Sequence, residues 1–230
     1  MRHRWIWVIP LLLILPRQDI LEWSSVAARN SGPGILMTAP LGKIVDFLID
    51  VERLKLVPRK AYVSDHSRRE NSAEHSWHLS IGLLAIVHEF GLEIDLHKAL
   101  VMALIHDTCE IDAGDTPAYG PARPDQHEAE SRCVQRLAGY GLAFGPTLRD
   151  LWLEYEAQES LESRWVKVLD RLMPFVVNLA TQGKNWQEQS ISRSQVLRVS
   201  QPIKEVAPEI YAWMVERIEQ CVKDGWLRDN

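Results

Sequence analysis

The chain has 230 residues, 46% of them hydrophobic and 25% charged, a composition suited to one soluble domain with a sizeable core. Its 26 Lys and Arg against 31 Asp and Glu leave a formal charge of −5, which excludes a nucleic-acid binder held by bulk positive charge. The three cysteines, Cys109, Cys133 and Cys221, are widely spaced and make neither a disulfide framework nor a CxxC zinc site, so a reducing cytoplasm is expected.

The N-terminus opens with Met1-Arg2-His3-Arg4 and an apolar run from Trp5 to Leu15. That run is too short to span a bilayer. With Ser25-Val26-Ala27 it resembles a signal peptide, but Arg17, Asp19 and Glu22 lie between the apolar run and any cleavage site. Met37 stands just before the first well-patterned segment. Residues 1–39 are therefore expected to be a disordered or extraneous leader, and residues 40–230 the folded domain.

From Pro40 the pattern is helical: Leu41, Ile44, Val45, Leu48 and Ile49 recur at spacings of three and four, and Pro58 ends the run. Arg59 to Arg69 reads as a polar connection carrying Arg59, Lys60, Arg68 and Arg69. A second helix starts at Asn71, where Asn71 and Glu74 suit a capping box, and stops at Gly91. His75 heads its apolar stripe of Leu79, Leu83 and Ile86. A third helix is expected from Leu96 to Glu110 with Asp95 as N-cap, which places Asp107 on the apolar face beside His106.

Turn residues follow Gly114, then helices are expected at Asp125 to Leu137 and from Pro146 through Tyr155. The helix beginning at Ser160 or Glu162 is apolar on two sides and therefore central. Asp170 sits among those apolar lanes, and Pro174 should kink the helix there. Gly183 to Ser194 reads as a loop anchored by Trp186, and a final helix fits Pro208 to Val222. No run supports a strand, so the expected fold is all-α. Trp152, Trp165 and Trp213 fall on apolar lanes and read as core.

Three helices thus place His75, His106 with Asp107, and Asp170 on apolar stripes. Burying such groups is costly unless something satisfies them. Two imidazoles and two carboxylates suit one divalent ion, though separate hydrogen-bonded pairs would also account for them.

The ordered set Glu74-His75-Ser76, Ile105-His106-Asp107, Glu110, Gly114-Asp115 and Asp170 resembles the HD-domain metal-dependent phosphohydrolases. The longer stretches Glu70 to Trp77 and Glu110 to Thr116 resemble the branch containing 5′-deoxynucleotidases. The likeness covers roughly Leu41 to Gly225.

It implies an HD-domain helical bundle with the metal site between central helices. His75, His106, Asp107 and Asp170 would hold one divalent ion, whether Mn, Co, Fe, Ni, Zn or Mg. Glu110 would position or deprotonate the attacking water. Asp115 would help catalysis and fix the nucleotide, and Arg59 would meet the phosphate, with Arg68 or Arg69 as alternatives. The Trp that follows this Arg in a deoxyribose-selective relative is Lys60 here, which leaves sugar preference open. The expected partner is a small phosphate ester, a nucleotide, with no nucleic acid or membrane partner, and family members commonly form homodimers. Phosphodiesterase or triphosphohydrolase activity at the same site, or a non-catalytic metal- or nucleotide-binding module, are the rival readings.

Overall fold

The computed structural model describes residues 41–121 and 123–230; the expected leader at 1–39 lies outside them. Helix α1 (Leu41–Glu52) passes into a 3-10 turn (Arg53–Leu56). Strand β1 (Pro58–Tyr62) then pairs antiparallel with β2 (Arg69–Asn71). The other elements are helices: α2 (Ser72–Phe90), α3 (Leu96–Ile105), α4 (Glu110–Ala113), α5 (Gln126–Ala138), α6 (Gly145–Ala157) and α7 (Leu161–Ala180). Shorter helices α8 (Lys184–Glu188), α9 (Arg193–Val199) and α10 (Gln201–Val206) lead to α11 (Pro208–Lys223). The domain is helical apart from the small hairpin, and no described helix is long and apolar enough to cross a membrane.

Helices α2, α3 and α7 pack against one another at the centre. Leu79 and Leu83 of α2, Met102 and Ala103 of α3, and Val166 and Leu169 of α7 are fully buried there. Gly82 permits that closeness, since a Cβ on it would meet the Met173 side chain at 3.1 Å and Leu169 at 3.2 Å. A second apolar cluster joins Leu54 and Val57 to Leu137, Leu148 and Trp152. The asparagine cap behaves as the sequence implies: Asn71 accepts from the Glu74 backbone N–H, and Glu74 reaches back to the Asn71 N–H.

Three expectations need correction. The polar connection after Pro58 contains a two-stranded hairpin; β1 is only five residues long, too short to stand out as a periodic signal, yet it carries Arg59. The helix from Leu96 ends at Ile105 instead of Glu110. Through His106 to Cys109 the chain over-winds, with Thr108 N bonding Ile105 O at 2.9 Å and Glu110 N bonding Asp107 O at 3.0 Å. Polar side chains compete for the backbone there, as the Thr108 hydroxyl donates to Ile105 O at 2.7 Å. Finally, the expected loop from Gly183 holds α8 and leads into α9 behind a Ser192–Gln195 capping box, although Trp186 is indeed a fully buried anchor. Pro174 lies inside α7, which continues to Ala180.

One buried carboxylate ties α1 to the rest. Asp50 accepts from Arg53 at 2.9 Å, from Tyr140 at 2.9 Å and from Arg136. Burial alone would raise its pKa, but the bonds from Arg136, Tyr140 and Arg53 outweigh that and hold it below the usual carboxylate value. Asp50→Asn should cost roughly 1.5–3 kcal/mol, read as a drop in urea midpoint at pH 7. A depressed pKa means the contribution is present above the unfolded-state value and fades as pH falls through the folded one. The gap between wild type and variant should therefore close in acid.

Candidate metal centre

The capping box sets the first turn of α2, and His75 projects from that turn into the core with 1% exposure. Its Nε2 lies 3.2 Å from Asp170 Oδ1 and 3.9 Å from Asp107 Oδ2. His106, 2% exposed at the end of α3, donates from Nδ1 to the Ala103 carbonyl at 2.8 Å. That bond places a proton on Nδ1 and leaves Nε2 to face Asp107 and Asp170. Nε2 lies 3.1 Å from Asp107 Oδ1 and 3.9 Å from Asp170 Oδ1, and it has no hydrogen-bond partner. The four ligand-type side chains expected from the sequence are thus brought together from α2, the turn after α3, and α7.

Buried beside two carboxylates and without a hydrogen-bond partner, Nε2 calls for positive charge among these groups, either a proton on the ring or a bound cation. Atoms sharing an ion at about 2.1 Å lie about 3–3.5 Å apart. Two of these separations match and two are 3.9 Å, so His75, His106 and Asp107 form a group close enough to hold a divalent metal, with Asp170 beside both histidines. Asp170 is divided in the required way. Its Oδ2 accepts from Tyr155 at 3.1 Å and Lys167 at 3.2 Å, leaving Oδ1 to the histidines. Burial would raise the Asp170 pKa, but Lys167, Arg171 and the histidines pull it well below the ordinary value.

Opposite this set stands Arg59, carried by β1. Its Nη1 lies 2.9 Å from Asp107 Oδ2, 3.2 Å from Asp115 Oδ1 and 3.8 Å from Glu110 Oε1, while its Nε is 3.5 Å from Glu70 Oε1. Gly114, at φ +74°, makes the turn that returns Asp115 to this position. Glu110 is buried, and its Oε2 accepts from the Ser72 hydroxyl at 2.5 Å. Burial and the neighbouring Asp107 hold the Glu110 carboxyl well above its usual pKa despite Arg59. Burial likewise pushes Glu70 up to about 7.

Arg68 and Arg69, the alternative phosphate contacts, point elsewhere. Arg68 pairs with Glu74 at 2.6 Å and is mostly exposed, and Arg69 pairs with Glu188 at 2.7 Å. Neither lines the cleft of about 390 Å³ that opens over Arg59, Asp107, Glu110, Asp115 and Asp170. Residues passed over in the sequence also face or support this cleft. Lys167 and Arg171 lie three residues before and one after Asp170 on α7, and that spacing was a readable signal. Tyr155 and Ser72 offered none, since their partners are distant in the chain. Cys109 is buried, and burial raises its thiol pKa well above the ordinary value, so it is no nucleophile.

Residues 51–211 match the HD domain model. The chain is 29% identical over 137 residues to the 5′-deoxynucleotidase HDDC2 of Danio rerio, covering 57% of this chain and 66% of that one. It is 25% identical over 193 residues to the 5′-deoxynucleotidase hdd1 of Schizosaccharomyces pombe, covering 81% and 87%. The match to the zebrafish protein thus spans just under two thirds of its length. The crystal structure of a predicted metal-dependent phosphohydrolase from Magnetospirillum magnetotacticum superposes with a TM-score of 0.77 at 32% identity, covering 84% of this chain and 98% of that one. With a family match over most of its length, and with the His, His-Asp and Asp set gathered at one point, the chain belongs to the HD-domain family.

Proposed function

We propose that this chain is a metal-dependent phosphohydrolase that removes the 5′-phosphate from nucleoside or deoxynucleoside monophosphates. The observation that carries this reading is the unpartnered His106 Nε2 among three other ligand-type groups, with Glu110 and Arg59 facing the same cleft. The likeness to two 5′-deoxynucleotidases supports the substrate class. His75, His106, Asp107 and Asp170 would hold the ion. When bound, a divalent ion supplies positive charge to the phosphate and lowers the pKa of water.

The chain's own residues supply the rest. Ser72 anchors one oxygen of Glu110, and the other faces the cleft, where it accepts the proton of the attacking water. Arg59 orients Asp107 and Asp115 and opposes the charge gathered on the phosphate oxygens. Asp115, which lines the cleft beside Arg59, steadies the substrate. Lys60 also lines the cleft, where it meets the nucleotide without the flat surface that a Trp would give. Three free, buried thiols accord with a reducing cytoplasm.

The test is a panel of deoxyribo- and ribonucleoside mono-, di- and triphosphates and cyclic diesters, run with Mn, Co, Fe, Ni, Zn and Mg and with a chelator. Phosphate release from monophosphates that the chelator abolishes is the expected result. Turnover confined to triphosphates or diesters would reassign the reaction, and ion binding without turnover of any ester would make the site non-catalytic.

A further inference from the structure

The cleft continues along α7 beyond the ligand-type residues, and its far end contains an unsatisfied buried group. Asn178 is 1% exposed and lines the cleft together with Tyr119, Pro174, Asn185 and Gln189. Its Nδ2 donates to the Pro174 carbonyl at 2.9 Å, and its Oδ1 has no hydrogen-bond partner. The amide cannot be turned over, because that would set Oδ1 against the Pro174 carbonyl, acceptor against acceptor. The neighbouring amides are already engaged with each other, as Gln189 Nε2 donates to Asn185 Oδ1. Tyr119 is held from behind by Trp186, whose Nε1 donates to its hydroxyl at 3.3 Å. These contacts leave Asn178 Oδ1 on this wall as a buried acceptor without a partner.

Position gives that acceptor a use. Asn178 follows Asp170 by eight residues, about 12 Å along the helix. The nucleoside of a 5′-monophosphate would extend along this wall if its phosphate lay at Asp170 and Arg59. We propose that this end of the cleft is a nucleoside subsite in which Asn178 Oδ1 accepts a hydrogen bond from a sugar hydroxyl or from a base N–H donor. The assignment rests on the monophosphate reading above. It adds the residue that recognises the part of the substrate away from the phosphate.

Two measurements separate the possibilities. The first is KM and kcat of wild type and Asn178→Ala on deoxycytidine monophosphate and its 2′,3′-dideoxy analogue. The variant should raise KM for the deoxynucleotide about tenfold, the size of one neutral hydrogen bond. A penalty that persists on the dideoxy analogue assigns the bond to the base, and one that vanishes there assigns it to the 3′-hydroxyl. An unchanged KM on both overturns the subsite. The second is calorimetric binding of deoxycytidine, which carries no phosphate and needs no turnover. Binding by wild type that weakens about tenfold in the variant supports the subsite even if no monophosphate is hydrolysed, a result that would count against the monophosphate reading alone. Equal binding by both proteins overturns it. If Asn178→Ala does not fold, judged by circular dichroism, Asn178→Ser removes the carbonyl and keeps a donor for Pro174 O, as Ser80 donates to Ser76 O at 2.8 Å.

Discussion

Glu110→Gln should lower kcat about 10²–10⁴-fold while leaving the bound-metal stoichiometry at the wild-type value. Gln has the shape of Glu and can still meet Ser72, so the local packing survives. What it loses is the ability to take a proton. The geometry leaves one Glu110 oxygen for that purpose, with Oε2 tied to Ser72 and Oε1 at 3.8 Å from Arg59. The environment also suits a base: burial and Asp107 raise its proton affinity above that of an ordinary carboxylate. Metal content by elemental analysis and phosphate release by steady-state kinetics are read on the same preparation. Full activity in Glu110→Gln would remove the residue from the mechanism. Loss of the ion together with activity would make Glu110 part of the metal site, a different role.

How far this site could be read from the chain depends on where each interaction is encoded. His75, Asp107 and Asp170 were legible because a charged or ligating group on an apolar helical stripe is an anomaly that burial makes costly. The caps at Asn71 and Asp95 were legible because capping chemistry is local, and both side chains accept from the backbone N–H three residues on. The over-wound turn from His106 to Cys109 was not. It depends on i−3 hydrogen bonds and on the Thr108 hydroxyl, which leave the apolar periodicity before it unchanged. The hairpin that carries Arg59 escaped because its pairing partner lies across an irregular turn. The resemblance put Arg59 first as the phosphate contact, but Arg68 and Arg69 in the same polar connection stayed open as alternatives. Only the pairing of β1 with β2 shows that Arg59 turns inward while the others meet Glu74 and Glu188 outside. Asn178 gave no warning, since a polar residue near a helix end is ordinary and only the missing partner of its carbonyl singles it out.

Arg59→Met should be the most destabilising single change in the cleft. Its guanidinium touches or approaches Asp107, Asp115, Glu110 and Glu70, and its side chain is only 12% exposed. The benefit is mutual: burial would lower the arginine pKa, but Asp107, Asp115 and Glu110 together hold it above the ordinary value. Removing one partner of a buried ion network leaves its charges uncompensated, at a cost of about 3–5 kcal/mol. For a domain of this size that corresponds to a fall in Tm of roughly 10 °C. Arg59→Lys should recover part of the loss, because one ammonium restores the charge but cannot reach several carboxylates at once. Thermal melts of both variants and wild type, with and without saturating divalent ion, provide the check. Added ion should narrow the deficit of Arg59→Met, since a second cation in the cleft offsets the same acids. A Met variant that melts with wild type would mean that these carboxylates are satisfied by something other than Arg59, and the electrostatic frame drawn around Glu110 would have to be rebuilt.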